Sequence, residues 1–509
     1  MVGRATGAVL LGVDARVVEV EVDLPGGLPN IAAVGLPDSA VREGIDRIRA
    51  SLRHSGFFLP DGRIVVNLAP AELRKQGSAL DLPIATALLQ ASGQIPVIDP
   101  RSTIFAGELG LDGSLRPVRG ALALAQLARR TGRRRIVLPT PNGDEASLVA
   151  GTEVVALDGL GELKQLAWGR CAPRPPLDPR EMLLQGQAAA PGGPDLRDVR
   201  GQAGARRALE VAAAGGHHLL MSGPPGAGKS MLAQRMPGIL PPMTVEEALH
   251  VTRIHSAAGV ERGLVVRRPF RAPHHGISLA GLTGGGRTMR PGEISLSSHG
   301  VLFLDEMTEF RRDALEALRQ PLEDGLIRVV RVHGAATFPA VLTLVGSMNP
   351  CPCGHLGNPD GRCSCTPAQV RRYRSRLSGP LLDRFDLVVE VPALDPEQLA
   401  GIAKGEASEA VRQRVVAARI RQRQRFGTTG PACNARMGPA ELERFARIGP
   451  DARRMLYVAC DRLGLSARGF DRVRRVARTL SDLEGEESIQ THHIAEAMQS
   501  RRPEVLRRD

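Results

Sequence analysis

Residues 223–230 carry the sequence GPPGAGKS, which decides the fold class of the chain. The stretch matches the pattern G-x-x-x-x-G-K-[ST] of a phosphate-binding loop. HHLLMS precedes it and SMLAQRM follows it, so the context is a buried strand, a loop and the start of a helix. The glycines allow successive backbone N–H groups to curl around phosphates, because no Cβ stands in the way. The sequence therefore predicts a nucleoside triphosphate site in an α/β domain.

Every residue of this loop is a candidate ATP contact. The start of the following helix adds a dipole that favours anions. The Lys229 ammonium is expected to reach the β- and γ-phosphates, and the Ser230 hydroxyl to bind Mg²⁺. ATP and Mg²⁺ are therefore the predicted cofactors. The predicted ATP-binding residues of the loop are Gly223, Pro224, Pro225, Gly226, Ala227, Gly228, Lys229 and Ser230.

Two adjacent carboxylates follow a second apolar run, Val301–Leu304. Asp305 is expected to hold the magnesium ion through water, as a second metal-binding residue beside Ser230. Glu306 is expected to orient and deprotonate the attacking water. Two acids at the end of a strand are also compatible with the start of an ordinary loop. Their position after a phosphate-binding loop favours hydrolysis.

Three further polar residues are candidates for contacts with the γ-phosphate. Asn349 ends a third apolar run and is able to hydrogen-bond the phosphate or the water, although a plain turn residue before Pro350 is the alternative. Arg384 is a candidate for a guanidinium that a neighbouring subunit supplies to the transferring phosphoryl group. Arg468 is a second such candidate. Either arginine is alternatively an ordinary surface residue.

Pattern and composition divide the chain into three domains and a linker. Residues 1–170 alternate strand and helix patterns, with strands expected at 17–24 and 63–70 and helices at 38–52 and 81–93. Residues 171–194 are rich in Pro, Gly and Ala and are expected to form a linker. Residues 195–392 carry strands expected at 217–222, 301–304 and 341–346. Residues 393–509 are helical throughout, so the fold class is α/β multidomain with a helical carboxyl-terminal domain.

The charge of the chain favours an anionic partner. It has 67 Lys and Arg against 54 Asp and Glu, a net charge of +13, and nucleic acid is the natural candidate. A GC-rich genome, which enriches Arg and Ala together, explains the same excess. The amino terminus has no signal-peptide pattern, and no stretch approaches the roughly 18 apolar residues of a membrane span. We therefore expect a cytoplasmic protein without a membrane partner.

The runs 215–243, 271–286, 291–310, 349–354 and 378–386 together resemble the magnesium-chelatase-like AAA+ ATPases of the ComM/YifB family. The resemblance extends through LGLSARGFDRVRRVARTLSDLEG at 463–485. It implies a ring, most often a hexamer, and a DNA helicase that drives branch migration as transforming DNA is integrated. It also implies that Asn349 is sensor 1, Arg384 the arginine finger and Arg468 sensor 2.

The first domain resembles the Lon-protease-like fold through LRKQGSALDLPIA at 73–85 and GELGLDGSLRPVRG at 107–120. A protease of that type needs a Ser nucleophile and a Lys base. Ala79 stands at the nucleophile's position, with Ser78 beside it, and Leu122 stands at the lysine's position. We therefore expect a non-proteolytic module for assembly or DNA binding.

In rings of this family, insertions in the AAA+ domain point into the central pore. One candidate is the Gly- and His-rich segment 272–298, and the other is an imperfectly alternating hairpin at 325–334. Arg328, Arg331 and His333 of the hairpin are candidates for contacts with DNA phosphates. A solvated hairpin edge is the alternative.

Four of the seven cysteines cluster in the pattern C-x-C-x₉-C-x-C. Cys351, Cys353, Cys363 and Cys365 are candidates for one structural Zn²⁺, or are four reduced thiols of a cytosolic protein. The C-x-C spacing is less usual than C-x₂-C, whereas the loop between the pairs needs a covalent or metal staple. His355 is an outside candidate. No open set of His and carboxylate residues accompanies the cysteines, so catalytic metal chemistry is not expected.

Three functions remain open from the sequence: a DNA motor, a magnesium-chelatase motor subunit and a protein-remodelling ATPase. The resemblance of the first domain to Lon favours the DNA motor, because chelatase motor subunits resemble only the AAA+ and helical portions. Stimulation of ATP hydrolysis by single-stranded or forked DNA separates the first function from the other two.

Overall fold

A computed structural model describes residues 2–189, 193–286, 288–331, 334–357, 361–393, 405–463 and 466–501. Two α/β domains are followed by a helical domain, which confirms the predicted fold class. The predicted boundary at 392/393 adjoins residues 394–404, which lie outside the described part. Within that part, no helix combines the length and the apolar character needed to cross a membrane.

The first domain is built on a seven-stranded mixed sheet of order β3-β4-β2-β1-β5-β8-β9. The buried side chains of β2 alternate with exposed ones, so this strand presents one apolar face to the core. The expected strands at 17–24 and 63–70 and helices at 38–52 and 81–93 are confirmed. Its elements are β1 (Gly3–Leu11), β2 (Asp14–Asp23), β3 (Asn30–Val34), α1 (Ser39–His54), β4 (Arg63–Ala69), α2 (Asp81–Ala91), β5 (Thr103–Phe105), β6 (Glu108–Leu109), β7 (Leu115–Arg116), α3 (Ala121–Arg130), β8 (Arg135–Pro139), α4 (Gly143–Ser147), β9 (Glu153–Leu157) and α5 (Leu163–Ala167).

The segment expected to be a linker contains a helix, α6 (Pro179–Ala189). Leu183 on α6 is buried and packs with Met243, Val251 and Val265 of the second domain. Pro179 begins the helix, where a missing N–H costs no hydrogen bond. The composition of 171–194 hid this helix, because a few apolar residues in a helix of 11 residues do not form a clear periodic pattern.

The second domain contains a five-stranded parallel sheet of order β11-β14-β17-β10-β18. All carboxyl ends of these strands therefore meet at one edge, here called the carboxyl edge, and all amino ends at the opposite amino edge. The third strand begins and ends two residues later than expected. The elements are α7 (Ala203–Gly215), β10 (Leu219–Ser222), α8 (Lys229–Ala233), α9 (Met236–Ile239), α10 (Val245–Ala258), β11 (Phe270–Arg271), α11 (Leu279–Thr283), β12 (Gly284–Gly285), β13 (Arg290–Pro291), α12 (Glu293–Leu296), β14 (Val301–Leu304), α13 (Arg312–Glu316), α14 (Arg319–Asp324), β15 (Leu326–Arg331), β16 (Gly334–Pro339), β17 (Thr343–Met348), α15 (Pro367–Arg374), α16 (Gly379–Leu382) and β18 (Leu387–Glu390).

The helical domain packs against α7 and the amino edge of this sheet. Buried His217, just before β10, hydrogen-bonds Asp386 at 3.1 Å and Thr479 at 2.8 Å. Arg501 donates to the carbonyl of Phe385 at 3.0 Å. These hydrogen bonds of His217 and Arg501 all lie at the amino edge, on the opposite side of the sheet from the carboxyl edge. The elements of this domain are α17 (Ser408–Phe426), α18 (Pro439–Phe445), α19 (Pro450–Leu463), α20 (Ala467–Glu484) and α21 (Thr491–Gln499).

Candidate nucleotide site

The phosphate-binding loop connects β10 to α8 at the carboxyl edge. Gly226 and Gly228 have φ angles of 76° and 91°, which side chains with a Cβ rarely adopt. A Cβ on Gly223 would lie 2.1 Å from the carbonyl oxygen of Val391. These three glycines are therefore required by the shape of the loop.

Lys229 is buried at the centre of this loop. Its Nζ donates to the carbonyl oxygens of Gly223 at 2.7 Å and Pro224 at 2.8 Å, and to Asn349 Oδ1 at 3.2 Å. Burial lowers the pKa of the ammonium, and the nearby carboxylates of Asp305 and Glu306 oppose that shift. All three hydrogen-bond acceptors of this ammonium are neutral oxygens. A bound phosphate would give it a negatively charged partner.

Ser230 and Asp305 form a pair of oxygen donors beside the loop. Ser230 Oγ donates to Asp305 Oδ2 at 2.7 Å. A hydroxyl and a carboxylate are hard oxygen ligands of the kind Mg²⁺ binds, and adjacent ligands of an octahedral site lie about 2.9 Å apart at its usual 2.0–2.1 Å bond length. The pair therefore fits a magnesium ion held directly or through water.

Glu306 adopts a backbone conformation with φ 51°, uncommon for a residue with a Cβ. Its backbone N–H donates to Asp305 Oδ1 and to Ser347 Oγ, each at 3.1 Å. The side chain is exposed at the carboxyl edge, beside the magnesium pair. The strained turn thus offers a carboxylate to a water molecule, the requirement for a general base.

Asn349 lies one residue beyond β17, at the same edge, where its side chain accepts from Lys229. Its backbone faces the hydroxyl of Tyr373, which accepts from Thr308 Oγ1 at 2.6 Å. Five polar residues that were predicted from the sequence to contact ATP, magnesium or the attacking water therefore lie in one site. They are Lys229, Ser230, Asp305, Glu306 and Asn349.

Sequence reasoning missed two residues of this site. Ser347 donates to Asp305 Oδ1 and so connects β17 to the carboxylate pair. Gln202 donates to the carbonyl oxygens of Ala227 at 3.3 Å and Pro392 at 2.7 Å. Ser347 stands two positions before Asn349 on a strand, so period-two alternation was a usable signal. Gln202 gave no such signal.

Arg384 and Arg468 lie away from this site. Arg384 precedes β18, and both arginines line a pocket of about 280 Å³ with Gly216 and His218, which precede β10. This pocket is at the amino edge. Because β10 has four residues, the two edges are separated by about 13 Å. No residue of the loop 223–230 lines the pocket.

The pocket is cationic, because five arginines outnumber the three acidic residues that also line it. The Arg384 side chain is only 11% exposed and pairs with Glu323, and its Nε has no hydrogen-bond partner among the described residues. Burial lowers the pKa of Arg472, against the opposing charge of Asp386, to about 10. The arrangement is suited to binding an anion. The arginines of the pocket are Arg384, Arg436, Arg468, Arg472 and Arg475.

The Lon-like domain offers no Ser–Lys pair at the expected positions. Ser78 donates to the carboxylate of Glu108, Ala79 is half-buried in an apolar cluster, and Leu122 is fully buried in the same cluster. A lysine at position 122 would be placed in the core. That this domain is not a protease stays a prediction.

The predicted hairpin at 325–334 is present as β15 and β16, paired antiparallel. Arg328 and Val330 are exposed on one face, while Ile327 and Phe338 are buried on the other. The predicted DNA contacts at the Arg331 side chain and at His333 lie outside the described residues. The segment 272–298 forms β12, β13 and short helices, and its residue 287 is also outside the described part.

The four clustered cysteines converge between β17 and α15. One ligand atom from each of Cys351, Cys353, Cys363 and Cys365 lies within 4.8 Å of all the others, and His355 is not in the group. No ion is present in the structure.

Three family models match the chain. The model described as "Magnesium chelatase, subunit ChlI" matches residues 195–399. "Subunit ChlI of Mg-chelatase" matches residues 20–142, and "Magnesium chelatase, subunit ChlI C-terminal" matches residues 405–501. The matches therefore extend over all three domains.

Curated relatives match along nearly the whole chain. The uncharacterized protein Rv2897c of Mycobacterium tuberculosis is 44% identical over 503 residues, 98% of each chain. Uncharacterized protein YifB of Escherichia coli is 43% identical, covering 96% of this chain and 95% of the relative. Competence protein ComM of Haemophilus influenzae is 43% identical with the same coverage. An archaeal Lon protease of Archaeoglobus fulgidus is 25% identical over 158 residues, 30% of this chain and 25% of the protease.

Proposed function

Since the chain belongs to the ComM/YifB family of magnesium-chelatase-like AAA+ ATPases, we propose that it is a cytoplasmic, hexameric DNA motor. In this proposal, ATP hydrolysis drives remodelling of branched or single-stranded DNA during recombination of transforming DNA. ATP binds at the loop 223–230 with Mg²⁺ on Ser230 and Asp305.

The separation of the two charged sites carries the proposal of a ring. The loop, the magnesium pair and Glu306 lie at the carboxyl edge, while the cationic pocket lies at the amino edge. In a head-to-tail ring, the amino edge of one subunit faces the carboxyl edge of the next. Arg384 and Arg468 then contact the γ-phosphate bound by the neighbour, and ATP hydrolysis depends on assembly.

Three observations support DNA as the substrate of the motor. The hairpin of β15 and β16 presents Arg328 on an exposed face. The chain carries a net charge of +13. A relative that matches along nearly the whole chain is named a competence protein. The names of the matched family models favour a second candidate, a motor subunit for magnesium insertion.

Forked DNA is expected to stimulate ATP hydrolysis, and the ring is expected to unwind it. The measurement compares turnover with and without forked DNA, using Lys229→Ala as the variant that does not bind ATP. Unwinding that continues in Lys229→Ala, or a ring that neither binds nor unwinds DNA, would contradict the proposal. Stimulation by porphyrin-insertion partners instead would favour the second candidate.

Arg328→Glu is expected to weaken DNA binding at every sequence, because a phosphate contact carries no sequence information. The slope of log affinity against log salt concentration should become shallower by about 1 for each lost phosphate contact. Arg101→Glu, an exposed arginine in the first domain, is the charge-matched control. Equal salt-dependence slopes for Arg328→Glu and Arg101→Glu would mean that DNA does not contact Arg328.

Glu323→Gln is expected to raise DNA-independent ATP turnover slightly. The carboxylate of Glu323, which is 54% exposed, holds the Arg384 guanidinium, and this pair must open before Arg384 reaches a neighbour's nucleotide. The pair is exposed on the Glu323 side, and exposed pairs contribute about 0.2–1 kcal/mol, so turnover should rise about 1.5- to 5-fold. Glu316→Gln, which removes a pair with Arg319 instead, is the control. Unchanged turnover in Glu323→Gln would mean that this pair does not restrain Arg384.

A further inference from the structure

The four clustered cysteines lie on the chain that joins sensor residue Asn349 to α15. Their Sγ atoms are separated by 3.3 Å for Cys351 and Cys353, 3.7 Å for Cys351 and Cys363, and 3.6 Å for Cys353 and Cys363. All four are free thiols. Four thiolates bound to zinc at about 2.3 Å in a tetrahedron would lie about 3.8 Å apart. The cluster has nearly this spacing.

The backbone around the cluster also points to a metal. Backbone N–H groups of His355, Cys353 and Cys365 face the sulfur atoms of Cys353, Cys365 and Cys363 respectively. Such donors stabilise anionic sulfur and fix the orientation of metal ligands. Cys351 is fully buried, so the cluster is partly shielded from solvent. Four sulfur ligands with no vacant position describe a structural site.

We propose that this cluster binds one Zn²⁺ and that the ion braces the phosphate-binding loop and sensor 1. The proposal does not depend on DNA as a substrate. A tetrahedral set of four sulfurs suits zinc or an iron–sulfur cluster. Mutual ligand distances under 4.8 Å favour a single ion, because several irons would spread the sulfurs further apart.

The bracing follows from two contacts of the cysteine loop. Gly354 has φ 82°, and a Cβ there would lie 2.5 Å from Cδ of Pro225, so this turn lies directly on the phosphate-binding loop. Beyond the other end of the cysteine loop, the hydroxyl of Tyr373 on α15 faces the backbone of Asn349 and accepts from the hydroxyl of Thr308. Zinc would thus hold the two ends of the cysteine loop together, beside the turn at Gly354 that contacts Pro225.

Metal analysis tests the site. Wild-type protein purified without a metal-affinity tag is expected to carry one zinc ion per chain and no stoichiometric iron. Cys351→Ser/Cys363→Ser is expected to lose the zinc, whereas Cys171→Ser, outside the cluster, is expected to keep it. Wild-type protein that carries no zinc and takes up no Co²⁺ into a tetrahedral thiolate site would overturn the proposal, as would iron in place of zinc.

Nucleotide affinity tests the brace. The double variant is expected to bind ATP about tenfold more weakly, the effect of losing one charge-assisted hydrogen bond such as that of Asn349. If the variant does not fold, zinc is removed from the wild type with a chelator and a reversible thiol reagent, and added back. Affinity should fall and then recover. A folded zinc-free protein with wild-type ATP affinity would overturn the brace. Neither assay contains DNA, so a failed DNA motor leaves both results interpretable.

Discussion

Glu306→Gln is expected to bind ATP with nearly unchanged affinity and to hydrolyse it about 10³-fold more slowly. The amide keeps the shape of the carboxylate but accepts no proton from the attacking water. The backbone N–H of Glu306 holds the turn through Asp305 and Ser347, and the substitution leaves both contacts in place. Loss of turnover would therefore report on the carboxylate alone.

Single-turnover hydrolysis together with binding of a fluorescent ATP analogue measures both quantities. Glu309→Gln is the matched control, because Glu309 is exposed in the next turn and pairs only with Arg376 among its described ion pairs. Its turnover should stay within about twofold of wild type, as for a surface pair. Glu306→Gln with wild-type turnover would exclude Glu306 as the general base. A parallel loss of ATP binding would indicate a collapsed turn instead.

The carboxyl-edge residues could be predicted because each follows a short apolar strand. Lys229, Asp305 and Asn349 come after separate strands, and parallel strands bring their carboxyl ends to one edge. Local sequence pattern and this rule for parallel strands were enough to predict that these residues lie close together. Ser347 was missed because its role depends on a hydrogen bond between neighbouring strands. The spacing of two residues between Ser347 and Asn349 marks Ser347 as a candidate, but it does not reveal which partner the serine contacts.

The amino-edge pocket could not be predicted from local sequence pattern. Arg384 and Arg468 are separated by more than eighty residues, and only the docking of α20 on the amino edge brings them into one pocket. The pairing of Arg384 with Glu323 likewise depends on the position of α14. The helix α6 was hidden for a related reason, since Leu183 is buried by a neighbouring domain. Contacts between domains are therefore the part of this molecule that the sequence did not predict.

Arg384→Ala is expected to leave ATP binding nearly intact and to lower turnover by about 10³-fold or more if Arg384 acts as an arginine finger. The guanidinium lies at the opposite edge of the sheet from its own loop 223–230, so in the proposed ring it would stabilise charge on the nucleotide of the adjacent subunit. A subunit that lacks Arg384 still has a complete carboxyl edge, including Lys229 and Glu306. A subunit with Glu306→Gln still has a complete amino-edge pocket.

Mixing the two inactive variants tests this arrangement directly. In a ring assembled at random from equal amounts of Arg384→Ala and Glu306→Gln subunits, about a quarter of the head-to-tail interfaces join an intact carboxyl edge to an intact pocket. Turnover should therefore recover to about that fraction of wild type if interfaces act independently. Arg101→Glu mixed with Glu306→Gln is a control for subunit exchange. Should Arg384 act within its own chain, no mixture would exceed the activity of the pure variants, and the separation of the two edges would require another explanation.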